Sequence, residues 1–247
     1  MATGVRKYRG LTPQERASQR RELLLAAGLE LFGTVGYARA TVREVSKAAG
    51  LNSRYFYESF PDREALLIAV YERIIFELAK AVAEATAGAQ TVQEQAAAGL
   101  RVTWEILTGD RRKARVLAVE VVGVSERLER LRRAYRHGFA QLLVNNAMRV
   151  VGEGEQTRLD PTLISRALIG GFLDVLTDWL NGDIDLPDDQ IVEHFTELYT
   201  AAAAAALGET PAQLRRRIRS VPPPPARLDI EAARAEAGLS DRPPPLP

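Results

Sequence analysis

Cysteine is absent from the 247 residues, and histidine occurs only twice, as His137 and His194. The first absence excludes disulfides, thiol nucleophiles and cysteine-ligated zinc, and it suits a reducing compartment. The second leaves little for a metal or a general base. Ala134 and Ile191 stand three residues before the two histidines, so the Glu-x-x-His pairs of carboxylate-bridged metal bundles are missing. There is no His-Glu-x-x-His and no P-loop, and Gly123-Val124-Ser125-Glu126-Arg127 lacks the second glycine of a nucleophile elbow. Gly152-Glu153-Gly154 leads into Glu155-Gln156-Thr157, not into a dinucleotide fingerprint. No apolar run reaches the roughly 20 residues that a membrane helix needs, and no signal-type apolar segment opens the sequence. Sustained alternation of polar and apolar residues is lacking too, so no sheet is expected. An enzyme, a resident metal or cofactor, and a membrane protein are therefore not expected. The sequence reads as an all-α protein of the cytoplasm.

What is present is a substantial core and an uneven distribution of charge. Apolar residues make up 46% of the chain, whose net charge is only +1. Residues 1–60 hold ten Lys and Arg against five Glu, so the basic surplus sits in the first quarter and the remainder is mildly acidic. A local basic region on an otherwise acidic protein points to a polyanion site confined to one end.

Residues 1–11, with Arg6, Lys7 and Arg9, form a basic arm without helical periodicity. Thr12-Pro13-Gln14-Glu15 is a capping box with proline at the first helical position, and the helix it opens should run to about Phe32. Thr41 with Glu44 is a second capping box, so another helix starts at Val42; Gly50 supplies its left-handed stop. Asn52 caps the next helix, with Ser53, Arg54, Tyr55 and Tyr57 early in it. Two helices joined by a tight glycine turn make a helix-turn-helix, whose second helix enters the DNA major groove. Pro61-Asp62 recaps the chain for a long helix to about Ala87.

Further helices follow: Thr91 to Leu107, Gly109-Asp110 to about Val122, Ser125 to about Val150, Asp160-Pro161 to Asn181, and Pro187 to Gly208. Nine of the thirteen prolines lie from Pro211 onward. Thr210-Pro211 should cap a short basic helix from Leu214 to Arg219, followed by Pro222–Pro225 and a terminal proline run, a linker-like extension partly draped on the core. The resulting organisation is a flexible arm (1–11), a helix-turn-helix domain (12–61), a helical domain (62–208) and a Pro/Arg-rich extension (209–247).

At Leu31-Phe32, Gly36-Tyr37, Thr41-Val42-Arg43-Glu44-Val45, Ala48-Ala49-Gly50-Leu51, Phe56-Tyr57, Phe60 and Asp62-Arg63-Glu64-Ala65-Leu66, the chain resembles the DNA-binding domain of TetR-family transcriptional regulators. Arg54, Tyr55 and Ser59 depart from that family's usual residues. The resemblance implies an N-terminal three-helix domain, a C-terminal helical bundle and a homodimer paired through the helices at about 160–181 and 187–207. It also implies a double-stranded operator and a small-molecule effector of unknown identity. Arg54 has a planar donor fork suited to a guanine edge. Ser53 and Tyr55 are further base or phosphate candidates, and Asn52 stands at the same helix start. Thr41 and Arg43 lie at a helix N-terminus suited to phosphate. Residues matching Tyr57 and Arg63 often contact phosphates in the family.

For the effector pocket, Trp104, Glu120, Tyr135, Phe139 and Asp174 are the polar and aromatic candidates, with His137, Asn145, Asn146 and Trp179 beside them. The expected function is a ligand-released repressor on a palindromic operator. The alternative is a constitutive or activating regulator without an effector.

Overall fold

The structure is a computed structural model that describes residues 12–152, 156–217 and 228–239. The basic arm, residues 153–155, Ile218 and Arg219 of the expected basic helix, and both proline runs lie outside the described residues. Within them the chain is helical, with no strand.

The first three helices are α1 (Pro13–Thr34), α2 (Val42–Ala48) and α3 (Ser53–Ser59). Both expected capping boxes form: Thr12 pairs with Glu15 and Thr41 with Glu44. Gly50 sits between α2 and α3 at φ +66°, the left-handed geometry the turn needs. The Asn52 side chain accepts from the amides of Arg54 and Tyr55, which starts α3. Leu24, Phe32, Val45, Phe56, Phe60 and Leu66 are almost wholly buried where these helices meet. Burial of each such side chain stabilises the fold by roughly 1.5–3 kcal/mol before the entropy of ordering it is subtracted.

Asp62 caps α4 (Arg63–Thr86), which starts within the helix-turn-helix unit and continues into the rest of the bundle. Its Leu66 and Val70 face α1, and its far half packs along α5 (Val92–Gly109). The segment expected as one helix to Val122 is divided. It forms α6 (Arg111–Arg115) and then a π-helical turn over Val116–Glu120. The bundle is completed by α7 (Glu126–Val151), α8 (Pro161–Asn181) and α9 (Asp188–Leu207). Two short helices end the described chain: α10 (Pro211–Arg215) and α11 (Ile230–Glu236). The latter was not expected.

α1 is pressed against α6. A Cβ on Gly33 would stand 2.3 Å from Arg112 Cβ and 2.6 Å from its Cα, so only glycine permits this approach. Arg112 also pairs with Asp110 at 2.8 Å and with Glu30 of α1 at 2.5 Å.

Candidate nucleic-acid interface and effector cavity

α3 presents the side chains expected to meet DNA, but not all equally. Arg54 is the most open: its side chain is 84% exposed and, among the described residues, is held only by Glu58, one turn on, at 3.1 Å. Such an exposed pair contributes little stability, so the guanidinium is readily given up to another acceptor. Tyr57 is 60% exposed beside the ring of Phe56, and Ser53 is half-buried at the helix start. Tyr55 instead faces the domain interior, with the Arg20 guanidinium 4.6 Å from its ring centre. Asn52 uses its side-chain oxygen as the cap.

At α2 the Glu44 carboxylate accepts from both the Thr41 amide and the Thr41 hydroxyl at 2.8 Å, and these bonds hold it below the usual carboxylate range. Thr41's own amide is therefore taken. Only the Val42 and Arg43 amides, which have no intrahelical partner by geometry, remain at that helix start. Arg43 is exposed beside them. Arg63 has a further duty that its sequence position did not reveal. Its guanidinium donates to the carbonyls of Tyr37 (3.1 Å) and Ala40 and lies 5.0 Å from the Tyr37 ring centre, which ties α4 to the loop before α2.

Behind α4 lies a cavity of about 160 Å³ among α4, α5, α7, α8 and α9, with Leu117 of the π turn in its wall. Its lining is mainly aliphatic and aromatic, including Ile75, Leu100, Phe139, Leu142, Phe172 and Phe195. Tyr135 and Phe139 are in this wall, as is Asn146. The other three pocket candidates lie elsewhere. Trp104 is core, packed edge-on to Phe172 and Trp179 at 5.9 and 5.8 Å. Asp174 is exposed on the outer face of α8. Glu120 points the opposite way, to the helix-turn-helix domain: it accepts from the Tyr37 amide at 2.8 Å and pairs with Arg115 at 2.8 Å. His137 lies near Glu236, and Asn145 is exposed and accepts from Gln141.

Two charged residues in the cavity wall were not anticipated, Arg132 and Arg136 on α7. Charges on a long helix read as a solvated face, and only the packing of α7 turns these inward. Glu129 engages Arg132 through both carboxylate oxygens. Tyr71 and Tyr135 nearby have hydroxyls pushed well above the usual range by burial. A smaller aliphatic cavity of about 40 Å³ shares Leu168 and Tyr199 with the first and continues along α7 past Val144 and Met148 to Val151. The arrangement fits an elongated apolar molecule with an anionic group near the arginines.

Residues 24–70 match the profile of bacterial regulatory proteins of the tetR family. Over 70 residues the chain is 40% identical to HTH-type transcriptional regulator BetI of Stenotrophomonas maltophilia (strain R551-3), which covers 28% of this chain and 36% of that protein. It thus spans little more than a third of that relative's length. The fatty acid metabolism regulator protein of Bacillus subtilis (strain 168) is 22% identical over 161 residues, covering 65% of this chain and 83% of that one. The crystal structure of the transcriptional regulator FadR from Bacillus subtilis in complex with stearoyl-CoA superposes with a TM-score of 0.64 at 20% identity, covering 72% of this chain and 96% of that one. At this identity the likeness is one of fold.

Proposed function

We propose that this chain, whose residues 24–70 match the profile of bacterial regulatory proteins of the tetR family, is a transcriptional repressor that binds a palindromic operator as a homodimer and is released by a ligand. The observation that carries the DNA reading is Arg54, exposed on the second helix of a helix-turn-helix and paired with Glu58 one turn on. Arg54 reads a guanine edge, Ser53 and Tyr57 contact the adjoining base or phosphate, and Arg43 adds charge at the α2 start. Tyr55 and Arg63 hold these helices in place.

The exposed face of α8 and α9 supports dimerisation. α8 is strongly apolar, yet Leu163 is 66% exposed, with Ala167, Gly170 and Gly171 open beside it. On α9, Leu198, Ala201 and Ala205 are open. Small residues let two helix pairs approach closely, and a two-fold axis buries each face against its copy.

The effector is an amphiphile with an acyl chain and an anionic head. The apolar wall with Arg132 and Arg136 supports this class, as does the stearoyl-CoA bound by the Bacillus subtilis protein. The cavity is smaller than the roughly 300–1,000 Å³ of typical ligand sites. A long chain must therefore separate the helices at Leu168 and Tyr199, so it favours an expanded conformation over the one described here. That preference is what a ligand needs to shift a two-state equilibrium. α4 and the π turn carry the change, because each touches both the cavity and the helix-turn-helix domain.

Selection of bound duplexes from random DNA tests the operator. A palindrome with half-site centres roughly 10 base pairs apart, or a multiple, is expected; recovery of no preferred sequence would sink the proposal. On the selected duplex, Arg54→Ala should cost about 1–3 kcal/mol and relax selectivity at one base position. Unchanged affinity at fixed salt would remove Arg54 from the readout. For the ligand, Arg136→Leu should weaken stearoyl-CoA by about tenfold or more, the value of a hydrogen bond to a charged group, and leave stearyl alcohol little changed. Equal losses for both would show that Arg136 shapes the wall and does not hold the head.

A further inference from the structure

The two cavities lie in series along α7. Arg132, Arg136, Phe139 and Leu143 are in the wall of the first, and Val144, Met148 and Val151 are in the wall of the second. Arg132 and Arg136 precede all of the second chamber's residues on this helix, so they mark the end of the first chamber away from it. Leu168 of α8 and Tyr199 of α9 are in both walls. These two side chains are the partition. Tyr199 is fixed in it, because its hydroxyl donates to the Leu143 carbonyl of α7 at 3.1 Å. Leu143 faces the first chamber and Val144 the second, so the bond meets α7 where one chamber gives way to the other.

The helices around the partition are not held alike. α7 is braced from behind. Its Tyr135 donates to Glu72 Oε1 of α4 at 3.0 Å, and Glu72, only 2% exposed, is paired with the buried Arg234 of α11. Such a pair is costly to break, because separation leaves a charge buried without its partner. Leu228 is fitted against α7 at Gly138, where a Cβ would stand 2.7 Å from Leu228 Cδ1. Leu168 and Tyr199 come instead from α8 and α9, whose outer faces are exposed at Leu163 and Leu198. The partition therefore opens by movement of α8 and α9 away from α7. The same outer faces are assigned above to the dimer contact, so opening alters the spacing of the two helix-turn-helix units.

We propose that Leu168 and Tyr199 form a length gate, which separates chains that merely bind from chains that also release the operator. The proposal rests on the reading of the first chamber as the site of an anionic amphiphile. With its head at Arg132 and Arg136, a short chain ends before the partition and leaves α8 and α9 in place. A long chain reaches the partition, displaces Tyr199 from Leu143 and enters the second chamber. A ligand shifts an equilibrium only by its differential affinity for the two arrangements. The short chain is thus a silent occupant, and the long chain is an effector.

The test compares octanoyl-CoA with stearoyl-CoA on the full-length protein, by affinity and by release of the duplex that the wild type selects from random DNA. Saturating octanoyl-CoA should leave the duplex bound, and stearoyl-CoA should release it. Tyr199→Phe keeps the ring and removes the tether, while the Leu143 carbonyl keeps its bond within α7. It should raise the ratio of stearoyl-CoA to octanoyl-CoA affinity by about fivefold, the value of one hydrogen bond. Ala203 lines the second chamber, and Ala203→Leu fills it. That variant should lower the ratio by about tenfold, within the usual effect of overpacking. The near-isosteric Tyr199→Phe keeps the test decisive if Ala203→Leu fails to fold. A ratio unchanged in folded variants would overturn the gate, as would full release of the duplex by octanoyl-CoA. If neither acyl-CoA binds the wild type, the amphiphile reading fails and the gate falls with it. Binding of both with a ratio that ignores Tyr199 and Ala203 rejects the gate alone.

Discussion

Gly33→Ala should uncouple the two halves of the molecule. The added methyl would meet Arg112 at its Cβ and its backbone Cα, well inside van der Waals contact. A flexible side-chain tip could swing aside, but a helix backbone cannot, so α1 and α6 must part. Overpacking of this kind costs about 1–3 kcal/mol, and the close backbone approach puts this case at the upper end. Parting them also strains the Glu30–Arg112 pair and the Glu120–Tyr37 bond, which run across the same joint. The thermal midpoint should fall, and the proposed release from the operator by an acyl ligand such as stearoyl-CoA should be largely lost while affinity without ligand stays near wild type. A variant with an unchanged midpoint and a full ligand response would show that the joint carries neither stability nor signal.

Phe56→Ala has the second large effect, through a different cause. Phe56 is fully buried in α3 and packs between the rings of Tyr57 at 5.5 Å and Phe60 at 6.0 Å. Truncating it should cost about 3–5 kcal/mol, the lost transfer energy plus the cavity left behind. Operator binding should disappear together with the cooperative unfolding of the N-terminal domain. Arg54→Ala, two positions earlier, should affect binding with almost no change in unfolding. A Phe56→Ala protein that keeps its midpoint and loses only DNA affinity would place Phe56 at the DNA surface, against its burial.

The helix-turn-helix was legible because its signals are local. A capping box, a glycine stop or an asparagine cap depends on residues at most four apart, and Thr41–Glu44, Gly50 and Asn52 behave as their spacing dictates. The cavity was less legible because it is made by packing distant helices. Glu120 looked like a pocket residue as a polar group in an apolar stretch, but its partner is the Tyr37 amide, 83 residues away in sequence. Asp174 lies among apolar neighbours that leave it on the open side of α8. Arg132 and Arg136 were missed for the converse reason: on a helix as charged as α7, nothing local distinguishes an inward arginine from a solvated one. α11 was hidden in a proline-rich stretch, and its anchor, Arg234, has meaning only once Glu72 is known to be buried.

The π turn at Val116–Glu120 carries one more consequence. In ordinary α-helical winding, residues three apart share a face. There Leu117 and Glu120 would point the same way. The wider turn separates them, so Leu117 reaches the cavity and Glu120 reaches the loop before α2. The linkage therefore needs the extra residue of the wider turn as well as the Leu117 and Glu120 side chains. Deleting one residue between 116 and 120 would return the segment to α winding and sever cavity from loop, even if every remaining side chain were unchanged. A deletion is thus a change to which this connection is exposed as directly as it is to loss of the Glu120 carboxylate.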